Sequence, residues 1–236
     1  MSNKQIEAVL LGAGGRGRGN FGKYATENPD KLKIIALAEP NEVFAKSFAE
    51  EHKIPKDKIF SDWESLLSNK QLAPLLINAT NDRTHYLSAI NAMDRGYDVI
   101  LEKPIATKPE ECSDILKVAK KTDRKLWVTH NMRYSTFFET VFSAIQNDYI
   151  GEVMSVRHNE NVAFWHMAHS YVRSPKWKNS GTSAPMILAK CCHDVDLLLS
   201  LAHYPPADRV HAGRGDGTAS GGEREGAKRI VGIEHR

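Results

Sequence analysis

The sequence is poor in cysteine and has no long apolar run. Its 236 residues include three cysteines, Cys112, Cys191 and Cys192, and the adjacent pair is badly placed to bridge with itself. This usage is typical of a reducing compartment, so we expect a cytoplasmic protein. No stretch approaches the roughly 20 apolar residues of a membrane span. The first residues lack the apolar segment and cleavage site of a signal peptide, and we expect no membrane association.

Net charge of one sign is also scarce. Lysine and arginine number 32 against 29 acidic residues, a formal charge of +3, and the basic residues are scattered. That distribution argues against a nucleic-acid-binding protein. What is abundant is core-forming sequence, with 41% hydrophobic and 26% charged residues, as in a globular protein. The length suffices for one large or two ordinary domains.

A glycine motif lies close to the start of the chain. Ile6 to Leu11 is apolar and compatible with a β-strand, and it runs into glycines spaced as G-x-G-x-x-G. In a dinucleotide-binding fingerprint these glycines permit a tight turn, close approach of a pyrophosphate and close packing of the next helix. The start of that helix attracts phosphate through its N–H groups and dipole. The predicted contacts are Gly12, Gly14, Gly15, Arg16 and Gly17.

An acidic residue ends the next predicted strand. Glu39 lies 22 residues after Gly17, at the end of an apolar run that begins at Lys33. A carboxylate in this place accepts hydrogen bonds from the ribose hydroxyls and disfavours a 2′-phosphate. The following Pro40 and Asn41 offer no arginine to such a phosphate. We predict NAD as the cofactor, with NADP as an open alternative.

Strand and helix patterns then alternate as far as residue 130. Apolar runs such as Leu75–Thr80 and Asp98–Leu101 are separated by helical stretches, which predicts βαβ units and a parallel sheet buried on both faces. The predicted fold class is α/β, an N-terminal Rossmann doubly wound sheet followed by an incomplete α+β domain. Polar residues after parallel strands meet at one sheet edge. There we predict cofactor contacts from Thr80, Asn81, His85, Glu102 and Lys103.

The segment Glu102-Lys103-Pro104 is the second informative motif. A lysine at a strand end beside a nucleotide site can move a proton or hold a substrate hydroxyl, although a surface lysine is the simpler alternative. Together with the glycine motif about 90 residues upstream, it resembles the glucose–fructose oxidoreductase / inositol dehydrogenase / MocA family. The resemblance implies a nicotinamide-dinucleotide domain joined to a C-terminal α/β domain with an open sheet.

The resemblance extends from Gln5 to about Ala202. Thr129 to Tyr134 looks like the family's domain junction and implies a cofactor contact by Arg133. Ala184 to Leu198 looks like the helix that carries the family's second catalytic group, a histidine. His193 matches it, but the aspartate that the family usually has four positions earlier is Ala189 here, with Lys190 as the nearest polar substitute. The implied catalytic residues are Lys103, His193 and Lys190.

Helical spacing divides this last segment into two faces. The polar face would contain Lys190, His193, Asp194 and Leu197, and the expected core face Leu188, Cys191, Val195 and Leu198. A solvated charged face is the alternative for the polar positions. We predict no metal, because the neighbouring Cys191, Cys192, His193 and Asp194 point to different sides of a helix and no second cluster has zinc-like spacing.

A polar and aromatic segment precedes that helix. Sugar-like ligands are commonly held by hydrogen-bonding groups beside aromatic faces, and an ordinary surface is the alternative. The predicted substrate contacts are His166, His169, Tyr171, Arg173, Trp177 and Asp194.

The predicted domains are 1–130, an NAD(P)-binding Rossmann domain, and 131–204, a partial substrate or oligomerisation domain. Residues 205–236 are expected to form a disordered or aberrant tail, since 205–229 contain one strongly apolar residue, Val210. A truncated or frame-shifted coding sequence is one hypothesis for this end. The shortened second domain would expose apolar surface and favour aggregation or oligomerisation, whereas a complete sheet implies a homo-oligomer.

The predicted function is that of a nicotinamide-dependent oxidoreductase acting on a secondary alcohol of a sugar, cyclitol or related polyol, with that small molecule as its partner. The resemblance implies that Lys103 polarises the substrate oxygen and His193 is the general base. One alternative is an NAD-dependent glycosidase without net redox change. The other is a nucleotide-binding module without catalytic activity.

Overall fold

The computed structural model describes residues 5–179, 181, 183–203 and 229–235. The chain forms two compact units. Unit 1 comprises Met1–Thr129 and Pro175–Pro185, and unit 2 comprises His130–Ser174 and Met186–Arg236. A later segment of the chain therefore returns to the first unit.

Unit 1 is built on a six-stranded parallel sheet. Its strands are β1 (Ile6–Leu11), β2 (Leu32–Ala38), β3 (Ile59–Phe60), β4 (Leu75–Asn78), β5 (Asp98–Leu101) and β6 (Leu126–Val128). Their order is β3-β2-β1-β4-β5-β6, so the chain changes direction across the sheet between β1 and β4. Ligands bind at such a switch point in doubly wound sheets. The predicted α/β Rossmann class is confirmed.

Helices connect these strands. A π-helical segment, Gly17–Gly22, continues into α1 (Lys23–Glu27), and the others are α2 (Glu42–His52), α3 (Trp63–Leu67), α4 (His85–Asp94) and α5 (Pro109–Thr122). Side chains cap two of the starts, because Asn41 Oδ1 accepts from Val43 N and Phe44 N, and Asp62 Oδ1 accepts from Ser65 N. Local sequence thus fixes where α2 and α3 begin.

The sheet of unit 1 is buried on both faces. Val9 and Leu11 point into one core layer and the alternate residues Ala8 and Leu10 into the other, and all four have no exposed surface. The second layer includes Phe48 of α2. Burying a large apolar side chain contributes roughly 1.5–3 kcal/mol, which explains why these strands are continuous apolar runs.

Unit 2 contains a smaller sheet than unit 1. Its elements are a 3₁₀ helix (Asn131–Tyr134), α6 (Thr136–Gln146), β7 (Val153–Glu160), α7 (Phe164–His166) with a π-helical continuation (Met167–Val172), α8 (Met186–His203) and β8 (Arg229–His235). β7 and β8 pair in parallel. The predicted tail over 205–236 therefore does not hold for 229–235, which are strand. Residues 205–228 and 236, Val210 among them, lie outside the described residues.

The core of unit 2 corrects the predicted face of α8. Its buried cluster is Phe138, Phe142, Leu197 and Leu201. Ala189 and His193 are buried on α8, whereas Val195, expected in the core, is 55% exposed. The expectation was wrong because α8 packs on β7 and the 3₁₀ helix, which present polar side chains. Polar partners decided which face of the helix is buried.

None of the helices in the described part of the chain has the length and apolar character needed to cross a membrane.

Candidate dinucleotide site and active-site groups

The glycine loop follows β1 at the switch point of the sheet. Gly12 has φ +87°, and a Cβ there would lie 2.7 Å from the carbonyl oxygen of Ala79. A Cβ on Gly17 would lie 1.9 Å from the carbonyl oxygen of Gly12. Around Gly14, by contrast, a Cβ would meet nothing within 4 Å. The first and third glycines are needed for close packing, and the second leaves an open side that a phosphate can approach.

Glu39 fastens this loop to the end of β2. Its Oε2 accepts from Ala13 N at 2.7 Å, its Oε1 accepts from Asn41 N at 2.8 Å, and the residue is 8% exposed. Each carboxylate oxygen can accept about two hydrogen bonds, so capacity for hydroxyl donors remains. Glu39 therefore has a structural role that the sequence pattern did not reveal.

A cavity of about 800 Å³ lies along this edge of the sheet, within the usual size range of ligand sites. It brings together seven of the predicted cofactor contacts and one predicted substrate contact, Trp177. The residues in its wall that the sequence predicted are Gly12, Gly14, Gly15, Arg16, Glu39, Thr80, Asn81 and Trp177. The wall also contains Asn20, Phe44, Asp62 and Trp63, which sequence reasoning missed.

Hydrogen bonds fix the cavity wall after β4. Asn78 is fully buried; its Nδ2 donates to Ser88 Oγ at 2.7 Å, and its Oδ1 accepts from Thr80 Oγ1 at 2.7 Å. Thr80 is thereby held at the end of the strand. Both polar atoms of the Asn78 amide have hydrogen-bond partners inside the domain. The buried side chain can therefore orient the wall without leaving a polar atom unpaired.

His85 lies behind this wall. Its Nδ1 is 2.8 Å from the carbonyl oxygen of Pro104 and its Nε2 is 3.3 Å from that of Thr80. Burial lowers the pKa of His85, while these carbonyls and the charges of Asp82 and Glu102 act against that shift. The ring has no exposed surface, so in this arrangement it joins the loop after β4, which lines the cavity, to the loop after β5.

Lys103 follows β5 at the same edge of the sheet. The preceding Glu102 is buried, and its backbone N donates to Asn78 O at 2.9 Å. The Lys103 backbone N donates to Glu102 Oε2 at 3.3 Å, and the Lys103–Pro104 peptide bond is cis. The partly buried lysine is thus placed beside the strand that carries Thr80.

The segment Pro175–Pro185 belongs to unit 1 although it comes late in the chain. Pro175, Lys176 and Trp177 line the cavity. Its other end is buried, and Ala184 N donates to Asp82 Oδ2 at 3.1 Å. Trp177, predicted to contact substrate, therefore lies in the wall of the dinucleotide cavity.

In unit 2, the polar face of α8 pairs with β7. His158 Nε2 lies 2.5 Å from Asp194 Oδ1, and Lys190 Nζ lies 3.1 Å from Glu160 Oε1. His193 is 8% exposed, and its ring meets that of His130 edge-on with centroids 5.7 Å apart. The polar face is thus paired and largely buried, which argues against the solvated alternative. The alternation of His158 and Glu160 on one strand face was a usable signal that the sequence analysis missed.

Arg133, a predicted cofactor contact, lies in unit 2. Its Nε and Nη2 donate to the two carboxylate oxygens of Asp196, each at 2.6 Å. Such a fork joins the 3₁₀ helix to α8 with defined geometry. His130 Nδ1 lies 3.9 Å from Asp196 as well.

The predicted substrate contacts before α8 occupy the short helices of unit 2. The His166 ring stacks against Trp165 at 5.6 Å and against Tyr171 at 5.9 Å between centroids. His169 and Arg173 lie on the exposed surface of the same segment. Only Trp177 of the predicted set belongs to unit 1, and Asp194 is on α8.

Donor atoms of His158, Glu160 and Asp194 lie within 4.8 Å of one another. The hydrogen bond between His158 and Asp194 and the ion pair of Glu160 with Lys190 already occupy these groups. Burial raises the pKa of the nearby Cys191 thiol, which disfavours the thiolate that binds metals. These contacts give the cluster the character of an ion-pair network.

The parallel sheet, the glycine loop at its switch point, the carboxylate after β2 and the cavity together define a dinucleotide-binding Rossmann domain. Residues 6–130, just over half of the chain, match the model of the oxidoreductase family with the NAD-binding Rossmann fold. The chain belongs to this family, named Gfo/Idh/MocA. The predictions of the family and of NAD as cofactor are confirmed.

Individual relatives agree with this assignment. The yeast Saccharomyces cerevisiae has an uncharacterized protein, YMR315W, that is 29% identical over 144 residues, 58% of this chain and 39% of the relative. An inositol 2-dehydrogenase/D-chiro-inositol 3-dehydrogenase of Halalkalibacterium halodurans is 26% identical over 190 residues, 80% of this chain and 50% of the relative. The chain thus spans half or less of these proteins.

A solved structure shows the same fold. The WlbA dehydrogenase of Bordetella pertussis, in complex with NADH and UDP-GlcNAcA, superposes with a TM-score of 0.72 at 20% identity. The match covers 86% of this chain and 58% of that one. At this identity the likeness establishes the fold.

Proposed function

We propose that this chain is part of an NAD-dependent oxidoreductase that acts on a secondary alcohol of a sugar, cyclitol or related polyol. The observation that carries the proposal is the joint placement of the glycine loop, Glu39 and Thr80 around one cavity in a domain of an oxidoreductase family. The inositol dehydrogenase among the relatives and the nucleotide sugar held by the B. pertussis dehydrogenase support the substrate class.

The residues of unit 1 fit a dinucleotide. The open side of Gly14 and the N–H groups at the following helix start would hold the pyrophosphate, with Arg16 close by. Glu39 would accept from the ribose hydroxyls, which favours NAD over NADP. Aromatic Phe44 and Trp177 offer flat surfaces in the same cavity. When bound, NAD supplies the hydride acceptor, and the protein supplies orientation and proton transfer.

The proton chemistry falls to Lys103 and His193, by resemblance to the family. Lys103 would hold and polarise the substrate hydroxyl through its ammonium group. His193 would accept the hydroxyl proton as general base. The edge contact with His130 and the adjacent His158–Asp194 pair support the position of that imidazole on α8. The Lys190–Glu160 pair holds the same turn of α8 against β7.

Replacement of Lys103 tests the proposal. In Lys103→Met we expect turnover on a panel of polyols and sugars to fall about 100-fold or more, the usual contribution of a proton-transferring group. NAD affinity, measured by calorimetry, should stay within a few-fold. The matched control is Lys108→Met, which removes an exposed lysine that pairs with Glu111 at 3.7 Å.

Three other outcomes would contradict the proposal. Loss of NAD binding and turnover together in Lys103→Met would make the lysine structural. NAD binding without turnover on any polyol by the unsubstituted chain would favour the inactive nucleotide-binding module. Cleavage of a glycoside without accumulation of NADH would favour the glycosidase alternative.

A further inference from the structure

Hydrogen bonds join the described residues of the Pro175–Pro185 loop to one another. Ser183 N donates to Asn179 O at 3.1 Å, Gly181 N donates to Asn179 Oδ1 at 2.7 Å, and Ser183 Oγ lies 3.4 Å from Trp177 O. These hydrogen bonds couple Trp177 to Ser183, so fixing Ser183 and its neighbour Ala184 positions Trp177.

The two ends of the loop meet different surroundings. Ser183 and Ala184 are 1% and 2% exposed, whereas Pro175, Lys176 and Trp177 are exposed residues that line the dinucleotide cavity. One end is therefore embedded in unit 1, and the other is presented to the ligand space.

Asp82 holds the embedded end. It follows β4, is 8% exposed, and its Oδ2 accepts from Ala184 N at 3.1 Å across 102 residues of chain. A hydrogen bond to a buried carboxylate is stronger than one between two neutral groups. In the chain, Asp82 also lies between Asn81 and Thr84, which both line the cavity.

We propose that Asp82 is a positioning residue, which anchors the Pro175–Pro185 loop so that Lys176 and Trp177 complete the wall of the dinucleotide cavity. The proposal rests on the proposed function for its ligand, NAD. It adds that affinity for NAD depends on a side chain that acts through another segment. Removing the anchor should loosen the loop and weaken binding together.

The first experiment measures NAD affinity by calorimetry on the full chain. Asp82→Ala should raise the dissociation constant about tenfold, because one charge-assisted bond is lost. Asp82→Asn keeps an acceptor oxygen and should raise it about twofold. The Asn variant also separates the bond from the charge, since the Asp82 charge acts on His85.

The second experiment needs no ligand. Lys176 and Lys178 are exposed, so trypsin cleavage in the loop, followed by mass spectrometry, reports how firmly it is held. Asp82→Ala should be cleaved there several-fold faster than the unsubstituted chain. The matched control is Asp98→Ala, which removes a carboxylate that accepts a 2.9 Å hydrogen bond from Lys125 N. Asp98 does not line the cavity, so this variant should alter neither readout.

A double-mutant cycle identifies the route of the effect. If Asp82 acts through the loop, Asp82→Ala should weaken NAD binding much less in a Trp177→Ala background than alone. Unchanged affinity and unchanged cleavage in Asp82→Ala would overturn the proposal, as would equal effects from Asp98→Ala. If the unsubstituted chain does not bind NAD, the proposed function fails, and the cleavage experiment still decides whether Asp82 anchors the loop.

Discussion

The two units of this chain differ in what they bury. In unit 1 the sheet residues are mostly apolar on both faces, and the glycine loop and Glu39 line the cavity at the end of the sheet. In the described part of unit 2 the buried apolar cluster has four residues, and α8 also buries His193 and Asp194. Unit 1 thus has two extended apolar layers around one sheet, whereas the apolar cluster of unit 2 is small and adjoins buried ionisable side chains of one helix.

This contrast has consequences for stability. The core of unit 1 is spread over two layers of a sheet, so one apolar side chain supplies a small share of its packing. The core of unit 2 has four buried members among the described residues, so each of them supplies a larger share of the packing. The variants below test that difference, beginning with the largest expected effect.

Gly17→Ala should be the most damaging change in unit 1. The new Cβ would lie 1.9 Å from Gly12 O, a backbone atom, so the turn must move. We expect loss of measurable NAD binding and a lower melting temperature. Gly19→Ala is the matched control, because its Cβ would meet nothing within 4 Å in the same helical segment. It should leave binding intact and add up to about 1 kcal/mol of stability. Equal behaviour of the two variants would refute the packing role of Gly17.

Phe138→Ala should lower the stability of unit 2. Phe138 is fully buried in the small core, and removing such a side chain typically costs about 3–5 kcal/mol. Hydrogen exchange read by mass spectrometry should show lost protection in α6 and α8, and much less in β1, β4 and β5. Its neighbour Phe137 is 45% exposed, so Phe137→Ala serves as the control and should change little. Equal loss of protection in both units would argue against separate cores.

The smallest effect concerns pH. Burial lowers the pKa of His85 below its ordinary 6.5, so the folded chain binds this proton less readily than the unfolded chain. Above about pH 6.5 His85 is neutral in both states and does not lower the free energy of unfolding. Below that pH the unfolded chain takes up the proton first, and the free energy of unfolding falls by at most about 1.4 kcal/mol per pH unit for one proton. Urea midpoints between pH 7.5 and 5.5 should therefore fall.

Substitution of histidines tests whether the pH dependence of the urea midpoint arises in unit 1. His85→Gln should flatten the dependence, and the remainder belongs in part to His52, whose pKa burial also lowers. Leu87→Gln, at an exposed position of the same helix α4, removes no ionisable group and should leave the slope unchanged. A slope that survives His85→Gln unaltered would show that the histidine does not titrate differently in the two states.

Local sequence was sufficient for much of unit 1. The apolar runs, the glycine spacing and Glu39 each depend on residues close together in the chain, and the structure places them as βαβ connectivity requires. In unit 2 helical spacing predicted the helix α8 but chose the wrong face of it. Periodicity reports that two faces differ, and the partner element decides which of them is buried.

The sequence by itself determined the dinucleotide fold, the family and the position of the glycine loop, because strand and turn propensities act over a few residues. Only the tertiary structure decided that the Pro175–Pro185 loop returns to unit 1, that Ala184 bonds to Asp82, and that His158 and Glu160 pair with α8. His158 and Asp194 are 36 positions apart in the chain, and Asp82 and Ala184 are 102 positions apart. These contacts depend on how whole elements pack, which no short stretch of sequence specifies.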